Sequence, residues 1–184
     1  MESKVIEIDI YNKYVEKHIA EVLEYFPLMR ISNIVPLNDY PLFRLSGKLV
    51  PKKFFNSNHI FVDDIEKYNI PFMDVYVEIP FEYLEKGCLV FDANRYINWE
   101  LIPIAHRHCN GSSFHGNLIC THLPEQAKEM NNPILENLKT MYKLYLEYNN
   151  YLKTKKWNME EYSHGDEGKR EYEQRRVPTK IVKR

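Results

Sequence analysis

The chain has 184 residues, of which 44% are apolar and 28% charged, and its formal net charge is −1. That length suits one domain with a real core, and the ordinary balance excludes an acidic disordered chain and a globally basic nucleic-acid binder. Three cysteines without regular spacing make no disulfide framework, and no stretch approaches the roughly 20 apolar residues of a membrane helix. The opening MESKVIEIDIYNKYVEK alternates charge with apolar residues and lacks a signal peptide's apolar run. The expectation is a cytoplasmic protein with reduced thiols, no membrane contact and no direct nucleic-acid binding.

In chain order, NKYVEKHIAEVLEYFP places Val15, Ile19, Val22, Leu23 and Phe26 on one helical face, and Pro27 stops the helix. RISNIVPL, LFRLSGKLV, MDVYVEI and GCLVFDA then read as strands. In the third, Val75, Val77 and Ile79 alternate with Asp74, Tyr76 and Glu78. Turn-like segments separate these runs, so successive antiparallel pairing is the simplest topology. Residues 51–71 are less regular and suggest a long hairpin insertion. Next comes a loop, HRHCNGSSFHGNLICTHLPE, residues 106–125. Beyond it, Asn132 and Pro133 start a helix whose apolar stripe is Ile134, Leu135, Leu138, Met141, Tyr142, Tyr145, Tyr148 and Leu152. The order of helix, strands, loop and helix predicts an α+β domain with helices flanking an antiparallel sheet. It spans residues 1–168. The tail, 169–184, holds seven Lys/Arg against two Asp/Glu. It reads as a solvated terminus, with a docking arm for an acidic partner or for nucleic acid as the sharper alternative.

The loop holds two of the three cysteines and four of the seven histidines. Three readings compete for it. His106, His108, Cys109, His115, Cys120 and His122 are suitable zinc ligands, but their spacing lacks the tight C-x2-C or H-x3-H clips of a strong zinc motif. A single accessible thiol would suffice for nucleophilic chemistry. Cys120 follows the apolar pair Leu118 and Ile119, which can anchor it, and comes soon after Gly116, which lets backbone approach a substrate. Cys109 is its rival, whereas Cys88, inside an apolar strand, reads as a core residue. The third reading is a polar connection whose histidines are only surface or hydrogen-bonded groups.

The loop resembles the active-site segment of ubiquitin-conjugating enzymes, in which a His-Pro-Asn tripeptide precedes a Gly-x-Ile-Cys element carrying the thioester-forming cysteine. Here His108-Cys109-Asn110 stands for the tripeptide and Gly116-Asn117-Leu118-Ile119-Cys120 for the cysteine element. Cys109 replaces the proline, and the spacing is slightly longer. DVYVEIPFEYLEKGCLVFDA is similar to the family's strand, proline turn and next strand, and the likeness covers most of residues 10 to 165. Trp157, Glu161, His164, Gly165, Gly168 and Tyr172 resemble the C-terminal signature of bacterial members found in antiphage operons beside a cGAS-like nucleotidyltransferase.

The resemblance implies the fold of that family: an N-terminal helix, an antiparallel β-meander, an active-site loop and C-terminal helices. It implies a thioester on Cys120, transthioesterification, and transfer of the acyl group to an amine. Asn110 would then steady the loop and the developing oxyanion, His108 would fix the loop, and His122 would favour the thiolate or assist proton transfer. The implied cargo is the C-terminus of a cGAS-like nucleotidyltransferase or of a ubiquitin-like protein. The chain shows no nucleotide-binding glycine loop, so activation falls to a separate activating enzyme or the cargo arrives by another route, and no cofactor is called for. A zinc-stabilised binding module and a catalytically silent scaffold of the same fold are the alternatives.

Overall fold

The first helix, α1, spans Glu2–Tyr25 in the computed structural model of the protein. The structure describes residues 2–37, 40–55, 65, 67, 69–122, 124–159 and 170, and for 2–7 the backbone alone. The helix begins well before the expected stretch and ends where predicted. Tyr11, Val15, Ile19, Val22 and Phe26 recur every three or four residues and are all buried, while Leu23 is half-buried at the edge of the stripe. The Phe26 N–H closes the final turn on the Val22 carbonyl at 2.7 Å. Pro27 has no N–H with which to continue.

Among the described residues six strands follow: β1 (Met29–Leu37), β2 (Tyr40–Lys48), β3 (Asp74–Ile79), β4 (Leu89–Asp92), β5 (Cys109–Ser113) and β6 (Gly116–Ile119). All pairs are antiparallel, and the sheet order is β1-β2-β3-β4-β6-β5. The fold is therefore α+β, as the chain order predicts. In β3 the expected alternation holds, with Val75, Val77 and Ile79 buried against the helices. Opposite them, Arg44 pairs with Glu78 at 2.9 Å and Lys48 with Asp74 at 3.3 Å on the open face.

Two expectations need correction. Most of the segment read as a loop, residues 106–125, is the β5–β6 hairpin. Its strands are short and its polar residues mask the alternation, so periodicity alone reads it as a connection. Simple succession also fails there, because β4 pairs with β6 and leaves β5 at the edge. Gly116 explains the close fit. Its φ is +116°, and a Cβ would lie 2.0 Å from the Asp92 carbonyl oxygen, so only glycine lets β6 start against the end of β4. In 51–71 the described backbone has a 3-10 turn over Lys52–Phe54 and helical residues at Ile65 and Lys67, with no strand. The remainder of the expected hairpin lies outside the described residues.

Two short helices, α2 (Tyr83–Lys86) and α3 (Pro124–Ala127), flank the end of β6, and α4 (Pro133–Thr154) closes the domain. The predicted start of α4 is made by Asn132, whose Oδ1 accepts the Leu135 N–H at 3.0 Å, followed by Pro133. Asn132 also donates to the His18 carbonyl at 3.0 Å, tying α4 to α1. Ile134, Leu138, Met141, Tyr142 and Tyr148 are buried, Leu135 and Tyr145 half-buried, and Leu152 exposed near the helix end. Each full burial of such an aliphatic side chain contributes about 2 kcal/mol. The domain boundary expected at 168 and the tail, apart from Arg170, lie outside the described residues.

Candidate active site

Cys120 is the first residue after β6, an inner strand of the sheet, so the lattice of β4 and β5 on either side fixes its backbone. Its N–H donates to the His108 carbonyl at 2.8 Å, one step beyond the Cys109–Ile119 pair. The side chain is half-buried, and its Sγ lies 3.8 Å from the His122 carbonyl oxygen. His108 itself is buried. The segment leading to it is pinned by Arg107, which donates to the carbonyls of Ile102 at 2.9 Å and Glu100 at 3.3 Å. His106 stacks on Trp157, with ring centroids 5.4 Å apart. Of the other C-terminal residues with family likeness, Glu161, His164, Gly165, Gly168 and Tyr172 lie outside the described residues.

Asn110 occupies a β-bulge. Cys109 faces Ile119 and Gly111 faces Leu118, so Asn110 is the extra residue on β5. It is exposed, as is Gly111 beside it, whose φ is +134°. A bulge re-aims a side chain out of the ladder, which frees the Asn110 amide from the sheet. Cys109 packs against the core, and its Sγ reaches the Gly111 carbonyl at 3.3 Å.

His122 contacts Cys120 through its carbonyl, and its ring is engaged elsewhere. Nε2 lies 3.1 Å from the Lys86 carbonyl oxygen, at the end of α2, and Nδ1 lies 3.1 Å from Thr121 Oγ1. The ring rests on Gly87, whose φ is +78°; a Cβ there would stand 2.0 Å from Nε2. Burial pushes the imidazole below the ordinary histidine range, while the Lys86 carbonyl and the Asn137 side chain act in the opposite direction.

Sequence reasoning missed Thr121, Asn137 and Gly87. Thr121 Oγ1 is hydrogen-bonded to Asn137 Oδ1, and Asn137 Nδ2 donates to the Pro133 carbonyl at 2.6 Å. Asn137 is fully buried on the apolar stripe of α4, and a polar residue at such a position was the signal to follow. Cys88 lies on the same network. Burial pushes its thiol up to about 12, against the pull of Asn137 and its own backbone.

The residues weighed as zinc ligands are dispersed. His115 stacks on Tyr76 with centroids 4.0 Å apart, on the open face of the sheet, His106 stacks on Trp157, and His122 faces α2. Among the described residues no three His, Cys, Asp or Glu side chains converge where they could hold a metal ion. No described helix is long and apolar enough to cross a membrane. Compared with known proteins, the chain matches no family model, no curated protein and no solved structure.

Proposed function

We propose that the chain is a ubiquitin-conjugating-enzyme-like transferase that carries an acyl group as a thioester on Cys120. The observation that carries this reading is the setting of Cys120. It is a half-exposed thiol at the end of an inner strand, held by the His108 carbonyl, with a bulged asparagine on the neighbouring strand. The order of helix, strands, cysteine and closing helix is the one that the resemblance implies, so the finer fold is proposed to be that of the same family.

In the loading step the Cys120 thiolate attacks the activated carbonyl at the cargo's C-terminus. A C–S bond forms, and the donor's leaving group departs with its electron pair. In the transfer step a neutral amine attacks the thioester carbonyl. A C–N bond forms, the C–S bond breaks, the thiolate leaves, and the nitrogen's surplus proton passes to solvent. The Asn110 amide, free of the ladder, is the donor assigned to the tetrahedral oxyanion. His108 serves through its carbonyl, by holding the cysteine's backbone. The cargo is a cGAS-like nucleotidyltransferase or a ubiquitin-like protein, activated by a separate enzyme, and the setting is bacterial antiphage defence in the cytoplasm.

The test is mass spectrometry of the chain co-expressed with its genomic neighbours. A thiol-labile adduct on Cys120, absent from Cys120→Ala and present in Cys109→Ala and Cys88→Ala, is the expected result. An adduct lost only in Cys109→Ala transfers the role to Cys109.

A further inference from the structure

In the turn after Cys120, one hydroxyl proton has two claimants. His122 Nε2 faces the Lys86 carbonyl, which can only accept, so that nitrogen carries a proton. Asn137 is oriented from its other end, since its Nδ2 donates to the Pro133 carbonyl, which leaves Oδ1 facing Thr121 Oγ1. Thr121 Oγ1 therefore stands between two groups, His122 Nδ1 and Asn137 Oδ1, with a single proton to give. When the ring is neutral, Nδ1 accepts that proton and Asn137 Oδ1 loses its Thr121 donor. When the ring is charged, Nδ1–H donates to Oγ1, Thr121 donates to Asn137, and every group in the chain is satisfied.

We propose that Thr121 is a positioning residue whose hydroxyl transmits the charge state of His122 to Asn137, so that α4 grips the Cys120 turn when His122 is protonated and loosens that grip when it is neutral. The inference rests on the reading of Cys120 as the working thiol. Burial favours the neutral ring, so the grip tightens as pH falls below the ordinary histidine range. The Cys120 Sγ touches the His122 carbonyl, so it moves with this turn, and its reactivity follows the ring's proton.

The titratable groups around the ring come from every element packed on it. The α2 end contributes Glu82, Glu85 and Lys86, with the Lys86 ammonium paired to Glu82. Glu125 and Lys128, on and just after α3, line a cleft with Glu85 and Lys86. The start of β4 adds the sealed Cys88, the end of β6 adds Cys120, and α4 presents the uncharged Asn137. Of these, the Lys86 carbonyl and the Asn137 side chain act on the ring itself.

The experiment uses the full chain labelled with 15N-histidine. The His122 ring nitrogens are followed from about pH 4.5 to about pH 8 in the parent, Thr121→Val, Thr121→Ser and Asn137→Ala. Over the same range, alkylation of Cys120 by iodoacetamide is read on its own peptide. In the parent, Nε2 stays protonated throughout, and Nδ1 gains its proton as pH falls. Thr121→Val lowers the midpoint by one pH unit or more, about a tenfold weaker hold on the proton, and Thr121→Ser restores it. Asn137→Ala lowers it by less, in a variant that keeps the Thr121 hydroxyl. The alkylation profile shows an inflection at the His122 midpoint that travels with it between variants. A midpoint that Thr121→Val and Asn137→Ala both leave in place overturns the proposal. So does a neutral ring protonated on Nδ1, or an alkylation profile blind to the midpoint. Neither readout needs a cargo, so absence of a thioester in the co-expression test leaves this titration standing on its own.

Discussion

Cys88 and Cys120 occupy neighbouring ends of paired strands, yet they are different chemical objects. Cys88 lies just before β4, 4% exposed and packed in the main core. Cys120 lies just after β6, half-exposed, with its Sγ on a carbonyl of the turn. Both belong to one polar network, because Asn137 reaches Cys88 directly and the Cys120 turn through Thr121. Cys88 is sealed in the main core, with Asn137 of α4 beside it. Past Cys120 the β6 ladder ends, and the side chain stays half-exposed against the His122 carbonyl. The lesson is that burial, and not residue type or nearness to polar partners, decides which of two thiols can act.

The largest expected effect breaks that comparison directly. In the folded protein at about pH 8, iodoacetamide should alkylate Cys120 roughly a thousandfold faster than Cys88, whose thiol is pushed up to about 12, and denaturant should close the gap. Peptide mass spectrometry of quenched time points measures both rates at once. A Cys88 that reacts within tenfold of Cys120 would mean that the seal is absent.

Next in size is Gly87→Ala. Its Cβ would enter the His122 ring at a backbone angle that L-residues avoid, so denaturant unfolding should show a loss of about 3 kcal/mol. The loss should be partly relieved in a Gly87→Ala, His122→Ala double variant, since the ring is the obstacle. Asn137→Ala should cost about 2 kcal/mol by the same measurement, because it removes a fully buried amide that bonds the Pro133 carbonyl and lies against Thr121 and Cys88. The same variant should raise the alkylation rate of Cys88, making the two thiols more alike.

The smallest effect is a pH slope. His122 and His18 are both held below the ordinary histidine range by burial. The unfolded chain then binds protons that the folded rings refuse, so stability is fully present above about pH 6.5 and declines as pH falls through the folded values. Thermal melts between about pH 7 and about pH 5 should show the decline, and His122→Gln should remove part of it. A parent whose melting temperature rises toward pH 5 would contradict both assignments.

The amino-acid order alone determined the elements that repeat a period. The α1 stripe, the alternation in β3 and the Asn132-Pro133 start of α4 were legible because each is a local pattern, complete within one helix or strand. It also singled out the Cys120 thiol, and a resemblance to a known active-site segment added Asn110, His108 and His122 as candidates. Only the tertiary structure decided that β6 lies inside β5, because that order depends on Gly116 meeting the Asp92 carbonyl from a distant part of the chain. It likewise decided that His122 turns to Lys86, 36 residues away, and that Thr121 meets Asn137 across the core. Hydrogen-bond partners so far apart in sequence leave no period to read. They come together only when the sheet and α4 have packed and the cost of leaving a buried polar group unpaired selects who faces whom.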